Sequence, residues 1–110
     1  MWKCSNCRFV VEGDAPPEVC PRCGAPRDAF EQVPAETAEL ARRSKLSNTL
    51  HQRLAAVLDE AERIAQAGVE DNLDPGCVKI FKETLAFADE MKRKIAAEIA
   101  VHVGKGKWGV

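Results

Sequence analysis

The sequence predicts a small metal-bound β module followed by an all-α helical hairpin, and three observations carry that prediction. Cys4, Cys7, Cys20 and Cys23 form two CxxC pairs separated by twelve residues. Gly13, Pro16, Pro17, Pro21, Gly24 and Pro26 crowd the first third of the chain, whereas residues 35–67 contain neither Gly nor Pro. Beyond Pro34, apolar residues recur at alternating spacings of four and three, the period of one helix face.

The first module, residues 1–33, is too short and too broken by turn residues to bury an adequate core alone. A bound metal must supply much of its folding free energy, on the order of 10 kcal/mol for a structural site. Trp2, Phe9, Val10, Val11, Val19 and Phe30 are available to wrap that site. Short strands are expected at residues 2–4 and 8–11, with a turn at Glu12-Gly13-Asp14.

Residues 34–110 form the second part. A first helix is expected over about 35–67, a stretch rich in Ala, Leu, Glu and Arg, with Gly68 as its stop. Leu50, Leu54, Val57, Ala61 and Ile64 share one face of it. After a loop over 68–73, Asp74 reads as an N-cap and Pro75 as the first helical residue. The second helix is expected over about 75–103, with Gly104 ending it. Its apolar positions are Val78, Phe81, Leu85, Ala88, Ile95 and Ile99, and Ile80, Phe87 and Met91 widen the stripe.

Such helices would be roughly 50 and 43 Å long, and the short loop makes them antiparallel. Two helices leave part of a wide apolar stripe uncovered, so a homodimer is expected, two hairpins completing a four-helix bundle. The tail from Gly104 to Val110 is expected to be flexible, and the sequence assigns Trp108 no docking place.

Composition excludes several functions. The formal charge of the 110 residues is -1, and residues 1–33 carry Lys3, Arg8, Arg22 and Arg27 against Glu12, Asp14, Glu18, Asp28 and Glu31. No basic face suited to phosphates emerges, so nucleic acid is not an expected partner. There is neither a signal-type apolar run after Met1 nor an apolar span near 20 residues, so no membrane association is expected and the cytoplasm is the expected compartment. In that setting paired CxxC cysteines point to metal ligation rather than disulfides.

Two CxxC knuckles deliver four thiolates to the corners of a tetrahedron, which suits zinc or iron. The surrounding residues are more specific. Trp2-Lys3-Cys4-Ser5-Asn6-Cys7, Phe9, Gly13, Pro16-Pro17, Cys20-Pro21-Arg22-Cys23-Gly24-Ala25-Pro26 and Phe30-Glu31 resemble the rubredoxin-like domain of rubrerythrins over about residues 1–33. That resemblance implies one iron ion per chain, held by Cys4, Cys7, Cys20 and Cys23 and cycling between ferric and ferrous. It also implies electron transfer to redox partner proteins, such as a rubredoxin reductase or a peroxide- or oxygen-reducing enzyme. The contrasting reading is a zinc-ribbon-like adaptor: a structural zinc at the same four cysteines, with helices that bind a protein.

One position departs from the family pattern. Arg8 stands where the family usually has glycine after the first pair, whereas the second pair keeps Gly24. Glycine there accommodates a positive φ, which costs other residues on the order of 1 kcal/mol, so Arg8 is expected to distort the first knuckle, to serve as a docking charge for an acidic partner, or to remain a solvated charge without a role. Arg8 and Arg22 both lie where a positive charge favours the more negative, reduced site.

Rubrerythrins also carry a di-iron site built on Glu-x-x-His motifs. Here Asn48 precedes His51 by three and Ile99 precedes His102 by three, so neither histidine completes the motif and no catalytic residues are expected. His51 reads as a boundary residue, His102 as a partner for the helix C-terminal dipole, and Lys92-Arg93-Lys94 as a solvated face. Cys77 reads as a buried small hydrophobe.

Overall fold

A computed structural model describes residues 1–110 throughout. Three strands come first: β1 (Trp2–Cys4), β2 (Val10–Val11) and β3 (Phe30–Gln32), with one turn of 3-10 helix over Arg27–Ala29. Two helices follow, α1 (Ala35–Asp71) and α2 (Pro75–Gly104). They fold into two compact units, one comprising Met1–Leu46 with His102–Val110 and the other Ser47–Val101. Neither helix is long and apolar enough to cross a membrane.

In the first unit β1 is the central strand of an antiparallel sheet ordered β2-β1-β3. Trp2 pairs with Val11 on one side and Gln32 on the other, and Cys4 pairs with Phe30. The expected strand at 8–11 shortens to Val10–Val11 because Arg8 has a φ of 64° and the Phe9 carbonyl accepts from Cys4 N–H, so both residues belong to a knuckle. Strand β3 was not anticipated, since its three residues lack an alternating pattern long enough to read. Cys4, Cys20 and Phe30 form the buried core, with Trp2, Phe9 and Val11 packed against it. Val19, expected to help wrap the site, is exposed instead.

The C-terminal tail departs from expectation. Gly106 N–H bonds to the Val103 carbonyl and Lys107 N–H to the His102 carbonyl, the two bonds of a Schellman cap, with Gly106 in the left-handed region at φ 71°. The helix therefore runs through Gly104, and Gly106 is the residue that ends it. The chain then turns back onto the sheet. A Cβ on Gly109 would lie 2.8 Å from Val10 Cγ2, so only glycine permits that approach. Trp108 is partly buried and lines a cavity with Met1, Val10, Val33, Thr37 and Ala41. A bidentate ion pair from Arg42 to Glu12, both contacts at 2.9 Å, adds a further tie within this unit.

In the second unit α1 and α2 run antiparallel. Helix α1 continues past Gly68, against expectation, because glycine serves here to admit a neighbour rather than to end the helix. Phe81 packs on Gly68 so closely that a Cβ would stand 2.2 Å from its Cε2. The helix ends at Asp71 with Asn72 at φ 50°, whose N–H bonds to the Gly68 carbonyl. Asp74 caps α2 as expected, its Oδ1 accepting from Cys77 N–H at 2.8 Å.

The interior of this hairpin is narrow. Leu58, Ala88 and Ile95 are buried, with Ala55, Met91 and Ile99 against them. The α1 residues that pack inward lie one position after the predicted stripe. Leu50, Leu54, Val57 and Ile64 are between 45% and 64% exposed. Lys92 crosses between the helices to Asp59 at 2.7 Å and Glu62 at 2.6 Å, so this basic run is not wholly solvated.

Candidate metal centre

The two CxxC segments build the site as near-copies of each other. In the first, Arg8 N–H bonds to the Cys4 carbonyl at 2.8 Å and Cys4 N–H to the Phe9 carbonyl at 2.9 Å. In the second, Gly24 N–H bonds to the Cys20 carbonyl at 2.9 Å and Cys20 N–H to the Ala25 carbonyl at 2.8 Å. The residue after each pair is left-handed, Arg8 at φ 64° and Gly24 at φ 74°. Arg8 therefore leaves the first knuckle undistorted and carries the strain of that conformation itself.

All four cysteines predicted as ligands converge, with their sulfurs within 4.8 Å of one another. The Cys4–Cys23 sulfurs are 3.8 Å apart and the Cys7–Cys20 sulfurs 3.6 Å. Four sulfurs arranged tetrahedrally about 2.3 Å from one ion would stand roughly 3.8 Å apart, so the spacing fits a single tetrahedral ion. It is far too long for a disulfide, whose sulfurs lie about 2.05 Å apart, and all five cysteines are free.

Burial divides the four. Cys4 and Cys20 are inside the core, Cys7 is half-buried, and Cys23 faces solvent. Their acidities differ for separate reasons. Burial pushes the Cys20 thiol up to about 11. Cys23 falls to about 6, first because Ala25 N–H donates to its sulfur and then because the Asn6 side chain does. Burial raises Cys7, but donors from Phe9 N–H and Arg22 outweigh it and the net direction is down. Hydrogen-bond donors thus already face the sulfurs, as a thiolate cluster requires.

The sequence points to the four cysteines as candidate ligands but gives Asn6 no role. Asn6 Nδ2 donates to Cys23 Sγ at 3.4 Å, tying one knuckle to the other. Arg22 does the same in reverse, its Nη1 donating to the Cys7 carbonyl at 2.8 Å. Both residues occupy interior positions of a CxxC, where a side chain can reach across the pseudo-symmetric pair; that position was the available signal.

Cys77 and the histidines lie away from this cluster. Cys77 is not a buried hydrophobe: its thiol donates to Asp74 Oδ2 at 3.3 Å, and that carboxylate raises its pKa and keeps it protonated. His102 is buried, His51 is half-buried, and neither is part of the four-cysteine cluster.

Comparison with known proteins agrees with this geometry over the same residues. Residues 2–31 match the family described as rubrerythrin, rubredoxin-like domain. Rubrerythrin from Nitratidesulfovibrio vulgaris (strain Hildenborough) is 50% identical over 30 residues, a match covering 27% of this chain and 16% of that protein. No solved structure matches the chain. The N-terminal module is thus a rubredoxin-like, metal-binding domain of the rubrerythrin type, joined here to a two-helix hairpin.

Proposed function

We propose that this chain is a one-electron carrier whose rubredoxin-like site holds iron and serves redox partner proteins in the cytoplasm. The observation that supports it most is the convergence of four cysteine sulfurs at tetrahedral spacing inside a rubredoxin-like module. An iron ion held by four thiolates supplies one-electron chemistry without a change of ligands. Everything else is the work of the chain. Two knuckles of matching backbone bonds hold the sulfurs rigidly, so little reorganisation accompanies a change in charge. The N–H groups of Phe9 and Ala25, with the Asn6 amide, face sulfurs and stabilise added negative charge there. Cys23 brings one ligand to the surface, where a partner can approach it, while Cys4 and Cys20 stay dry.

The sulfur spacing suits zinc as well, so the metal decides between a carrier and a structural adaptor. Protein purified anaerobically from its native source should contain one iron per chain and show thiolate-to-iron absorption that bleaches on reduction. Colourless protein containing one zinc per chain would refute the electron-transfer reading and leave the helices as the functional surface.

A further inference from the structure

The helical unit exposes an apolar face that its own fold does not use. In α1 the residues packed against α2 include Ala55, Leu58 and Ala65, and each is preceded by an exposed or half-exposed apolar neighbour: Leu54, Val57 and Ile64. In α2 the same relation holds, with Phe87 before buried Ala88 and Ile80 before Phe81. A residue one step earlier is rotated by about 100° around a helix. Because the two helices are antiparallel, that rotation carries both sets to the same side of the hairpin.

The Lys92 bonds to Asp59 and Glu62 fix the level of one helix against the other. At that level the turn of α1 carrying Ala61 and Ile64 stands opposite the turn of α2 carrying Phe87 and Met91, so the apolar residues of the two helices fall along one side of the hairpin, with Lys94 and Glu98 following on α2. Leu50, Leu54, Val57, Ile64, Ile80 and Phe87 are between 45% and 64% exposed. At on the order of 100 Å² each, they present roughly 600 Å² of apolar surface, at the upper limit of the largest patch on an ordinary monomer. With the rim included, the face approaches the roughly 800 Å² per partner of a standard stable interface.

We propose that this face is covered by the same face of a second copy, making a four-helix bundle. Two features favour a copy over a different protein. The patch draws on both helices, Leu50, Leu54, Val57 and Ile64 from α1 and Ile80 and Phe87 from α2, and its α1 part, with Ala61, recurs at alternating spacings of four and three, a pattern that can interdigitate with an identical seam. Its rim selects no partner by charge, because Glu60 pairs with Arg63, Glu83 with Lys79 and Glu90 with Lys94 within one protomer. A two-fold therefore brings no block of like charge together.

The test is sedimentation equilibrium of the full, metal-loaded chain from about 1 to 200 μM. Wild type should have twice the 12.1 kDa protomer mass over most of this range. Leu54→Glu and Phe87→Glu should each weaken association on the order of 100-fold while leaving the far-ultraviolet circular dichroism and metal content unchanged. Lys82→Glu, exposed on the opposite flank of α2, should leave the dimer intact. A wild-type monomer at 200 μM would overturn the proposal and assign the face to some other occupant. A dimer that survives folded Leu54→Glu and Phe87→Glu would overturn the choice of face.

Discussion

Replacing Gly68 with alanine should destabilise the hairpin, although the same change in a solvated helix would strengthen it. Alanine is favoured over glycine by about 0.5–1 kcal/mol within a helix. At position 68, however, the added Cβ meets three ring carbons of Phe81, Cε2 at 2.2 Å, Cδ2 at 2.3 Å and Cζ at 2.4 Å. Carbon atoms pack at about 3.5–4.0 Å, so the ring or the helix must retreat by more than about 1 Å. Overpacking of this kind costs about 1–3 kcal/mol, which exceeds the propensity gain across most of that range. The expected net loss is about 1–2 kcal/mol in urea denaturation followed at 222 nm. Phe81→Ala should remove the clash, so the double variant should be more stable than the sum of the single changes implies, with a coupling of about 1–2 kcal/mol. A Gly68→Ala protein more stable than wild type, or a cycle with no coupling, would refute the packing argument and leave Gly68 as an unused helix stop.

Other perturbations address the metal-binding unit. With iron bound, Asn6→Ala should lower the reduction potential by on the order of 20–50 mV, since it removes an N–H···S donor worth about 0.5–1 kcal/mol; unchanged protein-film voltammetry would show that the amide does not influence the site. Arg8→Gly relieves a left-handed conformation costing about 1–2 kcal/mol but frees the unfolded chain by about 0.5–1 kcal/mol, so the loaded protein should gain between about 0 and 1.5 kcal/mol. Its thermal denaturation curve should move up slightly, and a fall of several degrees would show that the arginine side chain supports the knuckle. The Arg42 guanidinium holds the Glu12 carboxyl below its usual value, so this pair stabilises the fold above the ordinary carboxylate range and is lost as pH falls through the depressed native pKa. Glu12→Gln should therefore reduce stability at pH 7 and bring it closer to wild type at low pH, an order that reverses if the pair is unfavourable. Trp108→Ala should cost about 1–2 kcal/mol of the first unit's stability, judged as a fraction of the cost for a fully buried tryptophan, and near-ultraviolet dichroism should report the loss.

What could be read from the sequence was whatever local chemistry dictates. The knuckles follow from the CxxC spacing and the residues around it, and Asp74-Pro75 specifies its own cap. The features that escaped depend on residues distant along the chain. Strand β3 exists because Phe30 meets Cys4, a pairing that three residues cannot announce. Gly68 looked like a stop because its partner, Phe81, lies across the hairpin. The tail looked flexible because its glycines gave no sign that Gly109 would lie against Val10. The α1 stripe is the most instructive case, since its period was correct and its phase was not. The reading followed Leu54 and Val57, whose spacing continues from Leu50, while the hairpin interior uses the neighbouring Ala55 and Leu58.

That displacement of one residue has a physical cause. Antiparallel helices approach closely where small residues face each other, and Ala55, Ala65, Gly68 and Ala88 serve that purpose in this hairpin. A seam in which these small residues interrupt Leu58, Ile95 and Met91 buries less apolar area than one of large residues throughout, so at about 25 cal/mol per Å² it gives two isolated helices only modest stability. The larger residues beside it hold most of the remaining hydrophobic free energy, and they face outward. An intramolecular seam made thin and an outer face made rich is the distribution expected when most of a helix pair's stability comes from association. Enlarging the inner seam should then split the helices rather than strengthen them. Ala88→Leu tests this directly: Ala88 is fully buried, so leucine should lower hairpin stability by about 1–3 kcal/mol in urea denaturation. If it instead stabilised the chain, the inner seam would have room to spare and the argument from its thinness would fail.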